Sequence, residues 1–419
     1  MNVAEKISID AEDWAERCAQ DGEFQLAARH WQGGLNLKID GDTVGIRLSE
    51  GTVSAGVDPL DGVIEYAGAS AVWSELLAQQ PARFHNDLMA NISTASGLSV
   101  SGDPVIHAQY YSAIMRAVEL LRPTFEQPEL RAGDVAAHGH IDTPIGRYIH
   151  LRIGGFDHRI YFEEAGQGIP LLLQHTAGCH GSQWRHLFEM PEITERFRLI
   201  AYDLPCHGKS IPPVEKRWWE ERYNLQGEFL RSVPLALAEA LDLVDPVFMG
   251  CSVGGLLALD LAHKHPDVFR AVISVEGSLK IGGELEALGQ LWHPQISNEY
   301  KARLMDGLMA PNSPAAYRKE TSFVYASGWP PAFLGDLYYY IAEFDLTDQA
   351  HEIDTNRVGV HILSGEYDYS GTAEMGQAAQ AAIPGSTWTE MKGVGHFPMS
   401  ENPEVFKHHV LPILETIAG

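Results

Sequence analysis

Residues 246–265 read PVFMGCSVGGLLALDLAHKH: a short, wholly apolar run, a Gly-x-Ser-x-Gly turn, and then apolar residues at helical spacing. The run suits a strand buried on both faces, and the segment from Gly255 onward suits a helix. The turn between them centres on Ser252 and has Gly250 and Gly254 two residues to either side. A serine held at the tip of a strand needs a strained, tightly wound backbone, and side chains at the flanking positions would collide with that backbone. This setting makes Ser252 the candidate nucleophile.

Working outward from that turn, IPLLLQ (169–174), FRLIAYD (197–203), AVISVEG (271–277) and VGVHILSG (358–365) are further continuous apolar runs. Helical stretches such as LRSVPLALAEALDL (230–243) separate them, and a hairpin hinged on Gly154 and Gly155 precedes them. Strands alternating with helices predict an α/β fold with a doubly wound, mostly parallel sheet. A serine hydroxyl needs a base. GVGHFPMSENP places His396 on a loop between the strand TWTEM and the last helix. A histidine base needs an acid to hold its tautomer, and LSGEYD places Asp368 just past a strand end. Glu366 lies nearer that strand end, and Glu276, at the tip of AVISVEG, is the stronger rival.

The ordered set QHTAG, YDLPCHGKS, GCSVGG, LSGEYD and GVGHFPMSENP resembles the α/β-hydrolase superfamily over residues of about 147–419. The resemblance implies acyl transfer through an acyl-enzyme, with Ser252 attacking, His396 moving the proton and Asp368 orienting the imidazole. It also implies an oxyanion hole, expected from the backbone N–H of Cys251 beside the nucleophile and of Ala177 in the loop after IPLLLQ, with Thr176 adding a polar contact to substrate. Cys206 stands where relatives usually carry glycine and reads as a small buried residue. Cys251 itself is not expected to be the nucleophile, because the elbow presents the middle residue.

An insertion of about 279–352, rich in aromatics, is expected to form a helical cap. Trp292 and Trp329 are its candidate substrate contacts, although aromatic stripes are more often cap core. Such a cap favours a bulky hydrophobic or aromatic ester or lactone. A C–C bond hydrolase of ring-cleavage products is the alternative, with the cap's Lys301, Arg303, Arg318 and Lys319 available for a substrate carboxylate. A third reading is a lipid-binding protein with a vestigial hydrolase domain. A carboxylate would have to replace Ser252 for dehalogenase chemistry.

Before residue 133 the pattern is different. LNLKIDGDTVGIRLSEGTVSAGV (35–57) alternates apolar and polar residues between turn formers and predicts a small antiparallel sheet. SAVWSELLAQQ, FHNDLMANIS and YYSAIMRAVELL predict helices covering it. This order resembles the sterol-carrier-protein-2 type domain, which implies a lipid-like ligand, a lid, or a packing or dimerisation module. The expected division is 1–132 for this α+β domain, 133–146 for a linker and 147–419 for the hydrolase domain.

The formal charge of −26 disfavours nucleic acid and anionic membranes as partners and otherwise serves solubility. Four scattered cysteines give neither a disulfide framework nor a metal site. No cofactor or metal is expected. No apolar stretch is long enough for a membrane span, the opening residues lack a signal-peptide pattern, and a cytoplasmic location is expected. A homodimer is expected only as the commonest assembly.

Overall fold

The structure is a computed structural model that describes residues 7–57, 61–126, 128, 130–131 and 135–419. Residues 132–134, at the expected domain boundary and the start of the expected linker, lie outside the described residues. The chain divides into two units, Met1–Gln127 with His293–Asn312, and Pro128–Trp292 with Ser313–Gly419.

The first unit is α+β. Its strands are β1 (Gly33–Ile39), β2 (Asp42–Ser49), β3 (Thr52–Ala55), β4 (Val63–Gly68) and β5 (Ser99–Ser101), in the order β3-β2-β1-β4-β5. The meander β1 to β3 is antiparallel as expected, but β4 runs parallel to β1, so the sheet is mixed. That register sets Ile64 beside Leu35 and Tyr66 beside Leu37, four side chains removed from solvent together. Helix Pro104–Glu119 buries Tyr111, Ile114, Met115 and Val118.

Part of the expected cap belongs to this unit. Helix Asn298–Gly307 packs on helix Pro104–Glu119, with Arg303 paired to Glu119 at 2.6 Å and Tyr300 edge-on to Tyr111. Asn86 donates to the Gly307 carbonyl, and a Cβ at Gly307 would come within 2.5 Å of the Asp87 carboxyl. The insertion is therefore divided, with only its remainder in the second unit.

The second unit carries β6 (Ile145–Ile153), β7 (Phe156–Gly166), β8 (Ile169–Gln174), β9 (Phe197–Tyr202), β10 (Val247–Cys251), β11 (Ala271–Val275), β12 (Gly359–Gly365) and β13 (Thr387–Met391). Their order is β13-β12-β11-β10-β8-β9-β7-β6, parallel from β13 to β9, with β7 and β6 antiparallel at one edge. Every residue of β10 and β11 is buried, which explains why their sequences do not alternate. Helix Val253–Lys264 covers β10 with Leu256, Leu257, Leu259 and Leu261, each worth about 1.5–3 kcal/mol of burial. Among the described residues no helix is long and apolar enough to cross a membrane.

Candidate active site

Ser252 stands between β10 and helix Val253–Lys264 with φ +59° and ψ −113°, a left-handed backbone that a non-glycine residue adopts only under constraint. The flanking glycines account for the constraint. A Cβ on Gly250 would lie 2.3 Å from the Gly254 carbonyl oxygen, and one on Gly254 would lie 2.7 Å from the Gln174 side chain. The neighbouring strand ends alike: Glu276, after β11, has φ +53°. Two adjacent strand tips thus turn their next side chains out over the same sheet edge.

Cys251 does not fit the expected oxyanion role. It precedes Ser252, is the last residue of β10 and pairs with Val275 in the sheet. The residue that follows the serine is Val253, which opens the helix and so has an N–H without an intrahelical partner. Cys251 instead donates its thiol to the His396 carbonyl at 3.2 Å, which sets the histidine loop beside the serine turn. Burial, followed by the neighbouring acidic side chains, raises that thiol well above its usual value and keeps it protonated.

His396 Nδ1 hydrogen-bonds Asp368 Oδ2 at 2.6 Å, and both groups are buried. Burial alone would raise the Asp368 carboxyl. The interaction with His396 and its hydrogen bond, with the N–H groups of Ser370 and Gly371, outweigh it and hold the carboxyl below its ordinary value. Among the described residues His396 Nε2 has no hydrogen-bond partner, and contacts of this kind commonly tighten only with substrate bound. Glu366 turns away to Gly393 and Lys392, so it is not the acid partner.

Several residues here were not foreseen. Glu401 Oε1 accepts from the N–H groups of Gly395 and Phe397, clamping the backbone on both sides of His396. Its place five residues after the histidine, inside the same motif, was the available signal. Tyr340 lies on a π-helical turn, Tyr338–Glu343, a feature frequent at functional sites. Its hydroxyl is 2.9 Å from Ser370 Oγ and lies beside Ser252, while Ser370 N–H donates to Asp368 Oδ1 at 2.7 Å. Tyr340 therefore links the serine to the acid's loop. Nothing in its aromatic-rich surroundings singles it out in sequence.

The loop after β8 is held from both ends. Gln183 Oε1 accepts from Thr176 N and Oγ1, and Tyr325 also engages that hydroxyl, so Thr176 is occupied in holding the loop. Gly178 N–H donates to Asp336 Oδ2 at 2.7 Å. Between them, Ala177 N–H has no acceptor among the described residues. Of the cap tryptophans, Trp292 is 46% exposed. Trp329 packs edge-on to Trp218 and Tyr223 along a separate cavity of about 370 Å³ that also meets Cys206. Among the described residues neither indole shares a hydrogen bond or ring contact with Ser252 or His396.

A serine on a strained turn, a buried imidazole bonded to a carboxylate and nearby backbone N–H groups without acceptors together suit attack on a carbonyl. The model of the alpha/beta hydrolase family matches residues 171–408. A pimeloyl-[acyl-carrier protein] methyl ester esterase of Vibrio vulnificus is 26% identical over 60% of this chain and 96% of its own length. Among solved structures, an esterase from Thermogutta terrifontis aligns with TM-score 0.57 at 19% identity, over 65% of this chain and all of its own. The enol-lactonase of Burkholderia xenovorans LB400 aligns at 0.52 and 20%, over 64% and 100%. At such identities these two likenesses concern the fold. More than half of the chain matches the family model, so this protein belongs to the alpha/beta hydrolase family and is a hydrolase.

Proposed function

We propose that the protein is a serine hydrolase that cleaves a carboxylic ester or lactone of a bulky hydrophobic or aromatic compound through an acyl-enzyme. The observation that carries this reading is the buried His396–Asp368 pair beside a serine at φ +59°. Ser252 attacks the carbonyl, and His396 takes its proton and returns it to the leaving oxygen. Asp368 holds the imidazole tautomer and the transient positive charge. The N–H groups of Ala177 and Val253 receive the developing oxyanion, each worth about 2.7–4 kcal/mol in the transition state. Water repeats the sequence on the acyl-enzyme. The Vibrio relative is an esterase and the Burkholderia neighbour a lactonase, which supports this bond class. The aromatic remainder of the insertion supports an apolar substrate. The first unit, with helices set on its sheet, fits a sterol-carrier-protein-2 type module for a lipid-like ligand.

The C–C hydrolase reading needs free basic groups, and Arg303 is already paired with Glu119 and Asp306. Hydrolysis of p-nitrophenyl esters of graded chain length, with Ser252→Ala alongside, tests the proposal. Turnover and fluorophosphonate labelling that both vanish in Ser252→Ala are expected. Turnover of a dienoate with no ester turnover would replace ester cleavage by C–C cleavage, and labelling that survives Ser252→Ala would remove the nucleophile.

A further inference from the structure

Glu276 is fully buried at the tip of β11, in a left-handed conformation that carries its side chain over the end of β12. There Oε2 accepts the Gly365 N–H at 2.8 Å. The other oxygen, Oε1, is buried and has no donor facing it among the described residues. The neighbouring side chain that acts on this carboxyl most strongly is Asp368. Gly371 lies against both residues: a Cβ there would be 2.9 Å from the Glu276 backbone carbonyl oxygen and 3.3 Å from Asp368 Oδ2. Two neighbouring carboxyls that are both fully buried, with no donor between them, cannot both stay ionised. One of them must carry a proton.

We propose that Glu276 is that protonated partner, a neutral carboxyl that donates a hydrogen bond from Oε1 to Asp368 and so fixes the acid that orients His396. The assignment of the proton follows from the surroundings of each group. Asp368 faces His396 and the N–H groups of Ser370 and Gly371, all of which favour its charged form. Glu276 faces Asp368, the Cys251 thiol and, further off, Glu401; its one favourable contact is the Gly365 N–H, and no Lys or Arg is ion-paired with it among the described residues. Burial, then the Asp368 charge, drive its carboxyl well above the ordinary range, in agreement with the geometry. Glu276 is thus a positioning residue that acts through Asp368. Holding it neutral also leaves Asp368 as the single negative charge directed at the imidazole.

This inference rests on the reading of His396 and Asp368 as base and acid, so one of its tests does not depend on turnover. Infrared difference spectra of wild type against Glu276→Gln are expected to show loss of a protonated-carboxyl carbonyl band that persists in wild type at neutral pH. Loss of carboxylate bands alone would overturn the proposal. The second test is the pH profile of kcat/KM. Gln keeps a donor toward Asp368 and removes no charge from a neutral acid. Its acid limb is therefore expected to stay in place, with a loss under tenfold, whereas Glu276→Leu, which removes the donor, loses about thirtyfold in kcat with KM little changed. An acid limb that drops by about one pH unit in Glu276→Gln would mean that wild-type Glu276 is charged and would refute the shared proton. Should Ser252→Ala fail to abolish turnover, the triad reading falls, and the infrared result still stands or falls alone.

Discussion

His396 and His207 lie in the same unit, each buried, each against a buried aspartate, at 2.6 Å from Asp368 and 2.9 Å from Asp336. The difference between them is in the remaining valences. His207 Nδ1 faces the Pro205 carbonyl at 3.1 Å, so both ring nitrogens point at acceptors and the ring is held as a cation. Asp336 is equally occupied, accepting from Gly178 N–H and the Tyr223 hydroxyl. His396 has only Nδ1 engaged among the described residues, which leaves Nε2 available for the proton transfer proposed for it. A saturated pair ties loops together, and an unsaturated one can do chemistry; here the saturated pair anchors the loop that carries Ala177.

The largest effect should come from exchanging the aspartates for asparagine. Asp368→Asn is expected to lower kcat by about 10⁴ with little change in Tm. Asp336→Asn breaks a buried ion pair at a cost of about 3–5 kcal/mol, seen as a loss of roughly 10 °C in Tm, with a much smaller loss of kcat. Steady-state kinetics beside thermal melts decide it. Equal losses of activity would erase the distinction. Next in size is Tyr340→Phe, which removes the hydroxyl between Ser252 and Ser370: a fall of about tenfold in kcat with KM nearly unchanged is expected. A rise in KM alone would make Tyr340 a substrate contact instead.

The smallest effect is one of pH. Burial lowers the His207 value, but the charge and hydrogen bond of Asp336 outweigh it and raise the group overall. A raised histidine contributes stability that is full below its unfolded value of about 6.5 and is lost as pH rises through its folded value. The Tm gap between wild type and Asp336→Asn should therefore narrow with rising pH, by a degree or two between pH 6 and 9. A gap that widens would mean that His207 is neutral in the fold.

Legibility in the sequence followed the range of the interactions. The second unit could be read because its strands are buried on both faces and its turns demand particular residues. PVFMG, the glycines around Ser252 and the loop of His396 each state a local requirement. Asp368 was legible as a carboxylate just past a strand end, with Glu366 on the same loop and Glu276 after the neighbouring strand as its rivals. The misreadings were of relations between distant segments. The sheet of the first unit was read as antiparallel since a meander is a local pattern, whereas the β1–β4 pairing is made across a crossover. Arg303 and its helix read as cap, for nothing near residue 303 announces Glu119. Cys251 precedes the serine, so the oxyanion role expected of it is proposed for Val253 on the other side.

Local physics in the chain itself determined the α/β architecture and the serine turn, and offered Ser252, Asp368 and His396 as candidates, because backbone sterics and burial periodicity act over a few residues. Only the tertiary structure decided which polar valences are filled: that Thr176 is occupied by Gln183 and Tyr325, that His207 is saturated and His396 is not, and that Glu276 meets Asp368. Hydrogen bonds between segments that are not neighbours in one helix or strand leave no periodicity to read, and a buried polar group has its role set by whichever partners folding brings within about 3 Å.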